Sequence, residues 1–131
     1  SRLAQASSRP ARAVACAAPV ALGGAMPLVK LFSRNTLNVS AAALQKSLVG
    51  IWNVSSTPHV LKVMHIQVTD MSSPEDQVYV DIRAKAKPER TPEVVRKAID
   101  DTIALLLSHG HKSLVRAELY EPTAQYDGEA E

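Results

Sequence analysis

QVYVDIRAKAK, Gln77–Lys87, followed closely by TPEVVRKAIDDTIALLLSHGH, Thr91–His111, is the stretch from which the fold of this chain follows. In the first segment Val78, Val80, Ile82 and Ala84 alternate with Tyr79, Asp81, Arg83 and Lys85, the pattern of a strand with one buried face. The second segment opens with Thr91 as an N-cap, Pro92 at the first helical position and Glu93 in the first turn. Val95, Ala98, Ile99, Thr102, Ile103 and Leu106 then recur as the apolar stripe of a helix, which His109-Gly110 closes. From Ser113 to Tyr120 alternation returns, with Val115, Ala117 and Leu119 opposite Leu114, Arg116, Glu118 and Tyr120. The unit is β-α-β.

Upstream, the same order of signals occurs once more, offset by about fifty residues. Pro27–Ser33 is a short strand candidate, and Ser40 caps an Ala-rich helix expected to run to about Asn53, with Leu44, Leu48, Ile51 and Trp52 on one face. His59–Thr69 reads as a half-buried strand with Met64, Ile66 and Val68 inward and His65 and Gln67 outward; Asp70–Asp76 is a loop. Each helix is apolar along one stripe and each strand on one face. The expectation is therefore an α+β domain with a four-stranded sheet and two helices on one side. Its other face should be polar, carrying His65, Gln67, Asp81, Arg83, Lys85, Arg116 and Glu118.

The chain has 131 residues and one cysteine, Cys16, which excludes an internal disulfide and a cysteine-rich zinc site. Ser1–Thr69 holds seven Lys or Arg and no acid, whereas Asp70–Glu131 holds eight basic and thirteen acidic residues. Residues 1–25, SRLAQASSRPARAVACAAPVALGGA, account for part of this asymmetry, being rich in Ala, Ser and Arg without Asp or Glu. That is the composition of a mitochondrial or plastid transit peptide. Its apolar run, interrupted by Pro19 and Gly23-Gly24, is too short to span a bilayer. The expected organisation is a basic arm at 1–25 that survives in the mature protein, a domain at 26–128 and an acidic tail at 129–131. A mitochondrial location is expected, ahead of a plastid.

MPLVKLF (Met26–Phe32), PHVLKVMHIQV (Pro58–Val68) and ELYEPT (Glu118–Thr123), set in this doubled β-α-β order, resemble the tautomerase superfamily. The resemblance is to its macrophage migration inhibitory factor and 5-carboxymethyl-2-hydroxymuconate isomerase types, and it covers Met26 to about Gly128. It implies a trimer, with the sheets of three subunits around a central channel. It also implies an N-terminal proline whose free amine shuttles a proton between carbon and oxygen of an enol or 2-oxo acid, a role only Pro27 can inherit. Arg34, Lys62 and Arg116 are the corresponding candidates for holding a substrate carboxylate. The chain departs from the inhibitory-factor pattern in three places. Thr57 stands where a lysine precedes the proline of the second strand, Arg116 and Glu118 replace a tyrosine and an asparagine, and Cys-x-x-Cys has no counterpart.

One departure bears on activity. While Met26 is attached, the Pro27 nitrogen is a tertiary amide with neither a proton nor a basic lone pair. Two functions therefore stand. The first, placed ahead, is a non-catalytic structural or accessory subunit of a mitochondrial assembly such as a respiratory complex, ATP synthase or mitoribosome, tethered to other subunits through residues 1–25. The second is an organellar keto-enol tautomerase or isomerase using Pro27 after cleavage at Met26. Either would act as a homotrimer or a heteromeric trimer-like assembly. No cofactor or metal is expected: His109 and His111 are commoner as helix-end histidines than as metal ligands. Arg83, Lys85 and Lys87 alternate with Asp81 and Ala, which favours a solvated or channel-lining face over nucleic-acid or membrane contact.

Overall fold

The computed structural model describes residues 27–121, 128 and 130. The expected arm at 1–25, Met26 and the acidic residues of the tail, Glu129 and Glu131, lie outside the described residues. Strand β1 (Leu28–Ser33) leads to helix α1 (Ala41–Ile51), a 3-10 turn (Pro58–Val60) and β2 (Lys62–Gln67). Strand β3 (Gln77–Lys85), helix α2 (Pro92–Ser108) and β4 (Lys112–Tyr120) repeat the arrangement. The sheet order is β2-β1-β3-β4. Each outer strand is parallel to the first strand of its own half, and β1 is antiparallel to β3. Helix α1 packs on β2, α2 packs on β4, and the two helices touch each other.

Both helices start and stop by the same local devices. Ser40 Oγ accepts the Ala43 N–H at 3.1 Å, and Thr91 Oγ1 accepts that of Val94 at 3.3 Å, each satisfying one orphan donor of a first turn. At the other end, Val54 N–H donates to Val49 O (2.8 Å) and His111 N–H to Leu106 O (3.0 Å), the six-to-one bond of a Schellman cap. Such a cap needs a left-handed residue, supplied by Asn53 (φ 58) in the first half and Gly110 (φ 85) in the second. The sequence places both ends of α2 and the start of α1 correctly, and α1 stops two residues before the expected Asn53.

The core lies between the sheet and the helices. Val29, Leu31, Val78, Val80 and Ile82 meet Leu44, Leu48, Trp52, Ala98 and Leu106 there. One polar chain runs through it. Trp52 Nε1–H donates to Thr102 Oγ1 (3.1 Å), and the Thr102 hydroxyl donates to Ala98 O (2.7 Å). Thr102 is thus both acceptor and donor, which reconciles a buried hydroxyl with the apolar stripe and joins α2 to the end of α1.

The inward and outward sides of β2 are the reverse of the sequence expectation. Register pairs Val63, His65 and Gln67 with Val29, Leu31 and Ser33, so these β2 residues project to the helix side. Met64 and Ile66 project to the open side, where Met64 is 42% exposed. His65 and Gln67 therefore leave the polar face, and the strand itself is shorter than His59–Thr69 because Pro58–Val60 forms the turn. The helix side tolerates the two polar residues because each finds a partner. The His65 ring meets Ser33 Oγ, and Gln67 Nε2 donates to Arg34 O at 2.9 Å.

Replacing Thr102 by Val keeps the shape and removes the acceptor of the buried indole N–H. We expect Thr102→Val to cost about 1–3 kcal/mol in urea denaturation and Thr102→Ser clearly less. Equal losses in the two variants would mean that the hydroxyl bridge contributes nothing.

Candidate active site

The register orders the open face of the sheet into rows. Ile66, Phe32, Tyr79 and Leu114 are cross-strand neighbours and form an apolar row, within which the Phe32 and Tyr79 rings stack with centroids 5.9 Å apart. Next come Met64, Lys30, Asp81 and Arg116. A hydrogen bond to Tyr79, with the nearby charges of Tyr79, Asp81 and Glu118, holds the Arg116 pKa above its ordinary value. The third row is Lys62, Leu28, Arg83 and Glu118, and Lys85 with Tyr120 completes the face beyond it.

Pro27 immediately precedes β1, next to the third row. Its side chain is less than 2% exposed, and its carbonyl accepts the Lys62 N–H at 3.1 Å. Leu28 is flanked by Lys62 on one side and Arg83 on the other. The Arg83 guanidinium carbon lies 4.7 Å from the centroid of the Tyr120 ring. Close by, Arg90 Nη1 donates to Lys85 O at 2.6 Å; burial lowers the Arg90 pKa, partly offset by Glu89 and Tyr120. The head of β1 is therefore a cation-rich corner, suited to a small carboxylate.

Of the residues proposed from sequence, Pro27 and Lys62 come together here. Arg34 follows the opposite end of β1, roughly 20 Å away at about 3.3 Å per residue. There its Nη2 donates to the carbonyls of Met71 and Ser73, pinning the loop before β3, and its buried Nη1 has no partner among the described residues. Arg116 lies in the middle of the face, beside Asp81. Within one chain, neither stands beside Pro27. Arg83 does, and sequence reasoning placed it on the polar face without naming it as a carboxylate-holding candidate. Only the antiparallel pairing of β1 with β3 reveals it, because that pairing brings the end of β3 to the start of β1.

A second polar cluster sits at the far end of β1. The Ser33 hydroxyl donates its single proton to Asn35 O at 2.5 Å, so His65 Nε2, 2.6 Å from the same oxygen, is the donor of that pair. His111 Nε2 accepts the Asn38 N–H at 2.9 Å, and Asn38 Nδ2 donates to His109 O at 3.2 Å, clasping the α2–β4 turn to the β1–α1 loop. The His65 pKa is lowered, first by burial and then by the His111 charge. No cluster of three or more His, Cys, Asp or Glu suited to a metal occurs among the described residues.

No family model and no curated protein matches the sequence. Solved structures do match the fold. The FG41 malonate semialdehyde decarboxylase inhibited by 3-bromopropiolate aligns over 81% of this chain and 91% of its own, at 13% identity and a TM-score of 0.51. A 5-carboxymethyl-2-hydroxymuconate delta-isomerase aligns over 85% and 92%, at 13% identity and a TM-score of 0.50. N1, of the cis-3-chloroacrylic acid dehalogenase family, aligns over 76% and 80%, at 16% identity and a TM-score of 0.50. These neighbours are tautomerase-superfamily members. The chain has the tautomerase fold. In this fold the expected double β-α-β sheet with two helices on one face is present, and the likeness at these identities concerns architecture alone.

The His65 cluster makes a stability prediction with a definite sign. A histidine whose folded pKa lies below the unfolded 6.5 adds stability above pH 6.5 that is lost as the pH falls through the folded value. We expect the urea midpoint to be level from pH 8 to 7 and to fall as the pH drops below about 6.5. His65→Gln should flatten part of that fall; an unchanged profile would remove His65 as its source.

Proposed function

We propose that this chain is the precursor of a proline-dependent tautomerase or isomerase acting on a small carboxylic acid with an enol or 2-oxo group. The observation that carries the proposal is the placement of Lys62 and Arg83 on either side of the strand that Pro27 begins. The tautomerase-fold neighbours support it, because chloroacrylic acid, malonate semialdehyde and carboxymethyl-hydroxymuconate, for which they are named, are all small carboxylic acids.

In this mechanism, cleavage after Met26 converts the Pro27 nitrogen from an amide to a secondary amine. An α-amine titrates closer to neutrality than a lysine side chain does, so a useful fraction is free base at working pH. The amine takes a proton from the carbon next to the carbonyl and returns one to oxygen, or the reverse, and the substrate leaves as its isomer. Lys62 and Arg83 hold the carboxylate and offset the negative charge that develops on the enolate oxygen. Members of this fold are typically oligomers, and we place the active form in a trimer-like assembly.

A second reading rests on a specific observation. In the sequence given, Met26 is joined to Pro27, whose side chain is under 2% exposed. If that bond stays intact, the chain is a non-catalytic subunit of a mitochondrial assembly, with residues 1–25 as its contact to other subunits. In both readings the basic, acid-free arm supports a mitochondrial location.

N-terminal sequencing and intact mass of the protein isolated from its own organelle separate the two. We expect a chain that starts at Pro27 and catalyses phenylpyruvate enolisation, with Pro27→Ala slower by at least about 100-fold. A mature chain starting upstream of Met26, together with a Pro27-started chain no faster than buffer, would leave the subunit reading in its place.

A further inference from the structure

Arg83 is exposed, and its register neighbour on β4 is the acid Glu118. The two form no ion pair, and the guanidinium makes no hydrogen bond among the described residues. A long, exposed arginine without partners samples many rotamers, and an anion that binds it must first order it. Here the ordering is already supplied. The guanidinium carbon stands 4.7 Å from the centroid of the half-buried Tyr120 ring, at the end of β4. Tyr120 is in register with Lys85 rather than Arg83, so the contact is a diagonal one that only long side chains can make. Arg90, anchored on the Lys85 carbonyl, adds positive charge near the same ring.

The geometry decides which donors remain usable. A guanidinium is planar and stacks on aromatic faces, and the Arg83 guanidinium carbon lies over the Tyr120 ring. The five N–H donors of a guanidinium lie around its edge, and a carboxylate takes two of them as a fork. A ring contact therefore fixes the group without consuming its donors, whereas a salt bridge to Glu118 would consume them.

We propose that Tyr120 is a positioning residue: it holds the Arg83 guanidinium flat beside the head of β1, edge outward, as a preformed fork for the carboxylate of a small anionic substrate. The role of that fork in turnover rests on the Pro27 end being the active site. The fork itself does not depend on Pro27 being a free amine, so it can be tested in the full chain with Met26 in place.

The test is titration of the full chain with malonate, followed by calorimetry and by NMR of the Arg83 side chain. In the unliganded wild type, the Arg83 δ-methylene signals are expected upfield of their ordinary positions through the ring current of Tyr120. Malonate should shift the Arg83 Nε–H signal on binding, and Arg83→Ala should abolish that binding. Tyr120→Phe keeps the ring face and should bind within about twofold of wild type, whereas Tyr120→Leu should bind about threefold more weakly. Wild-type affinity in Tyr120→Leu, equal weakening in Phe and Leu, binding that survives Arg83→Ala, or unshifted Arg83 signals would each overturn the proposal. If the Leu variant does not fold, the wild-type signals and the Phe variant still decide it. Phenylpyruvate turnover by the Pro27-started chain tests the enzyme reading separately, so loss of one result leaves the other interpretable.

Discussion

The arginine of the candidate site depends on the antiparallel pairing of β1 with β3. Each half of the chain is self-sufficient in pattern, with a strand, a helix and a parallel strand, yet neither half alone places an arginine beside Pro27. Joining the halves through their first strands in opposite directions brings the start of β1 against the end of β3, and so against Arg83, Lys85 and, through β4, Tyr120. The same pairing sends Ser33 and Arg34 to the other end, where they are occupied with loop carbonyls and a histidine. The chemical difference between the two ends of the sheet follows from one choice of strand direction.

The two helices are held to this sheet in unequal ways. Helix α2, with 17 residues, covers its half more completely than α1, with 11. On the helix side of β2, His65 and Gln67 sit with hydrogen-bond partners of their own. The Trp52–Thr102 bridge ties the end of the shorter helix to the middle of the longer one and limits how far they can slide.

What was legible in the sequence tracks how local the cause was. Ser40, Thr91-Pro92-Glu93 and His109-Gly110 announce helix ends through bonds within a few residues, and Val78, Val80 and Ile82 announce a buried face by simple alternation. The orientation of β2 failed because MHIQV alternates correctly, while Ile66 serves the row with Phe32 and Tyr79 and Met64 the row with Lys30, rather than the core. That preference is set by neighbours on another strand. The resemblance named Pro27 and Lys62, which the structure brings near each other, and did not name Arg83, because its proximity to Pro27 arises from pairing across some fifty residues of chain. Arg34 looked like a free cation only because the carbonyls it binds, those of Met71 and Ser73, carry no signature in the side-chain sequence.

The peptide bond at Pro27 has a further chemical meaning. A free secondary amine attacks aldehydes and keto acids to give iminium adducts, and an amide nitrogen does not. In the proposed enzyme, the corner made by Lys62 and Arg83 draws small carboxylates toward a nitrogen that has no means of reacting with them while Met26 is attached. The proposed precursor is therefore chemically latent. It would acquire the liability to condense with metabolites together with its basicity, when a single bond is cut.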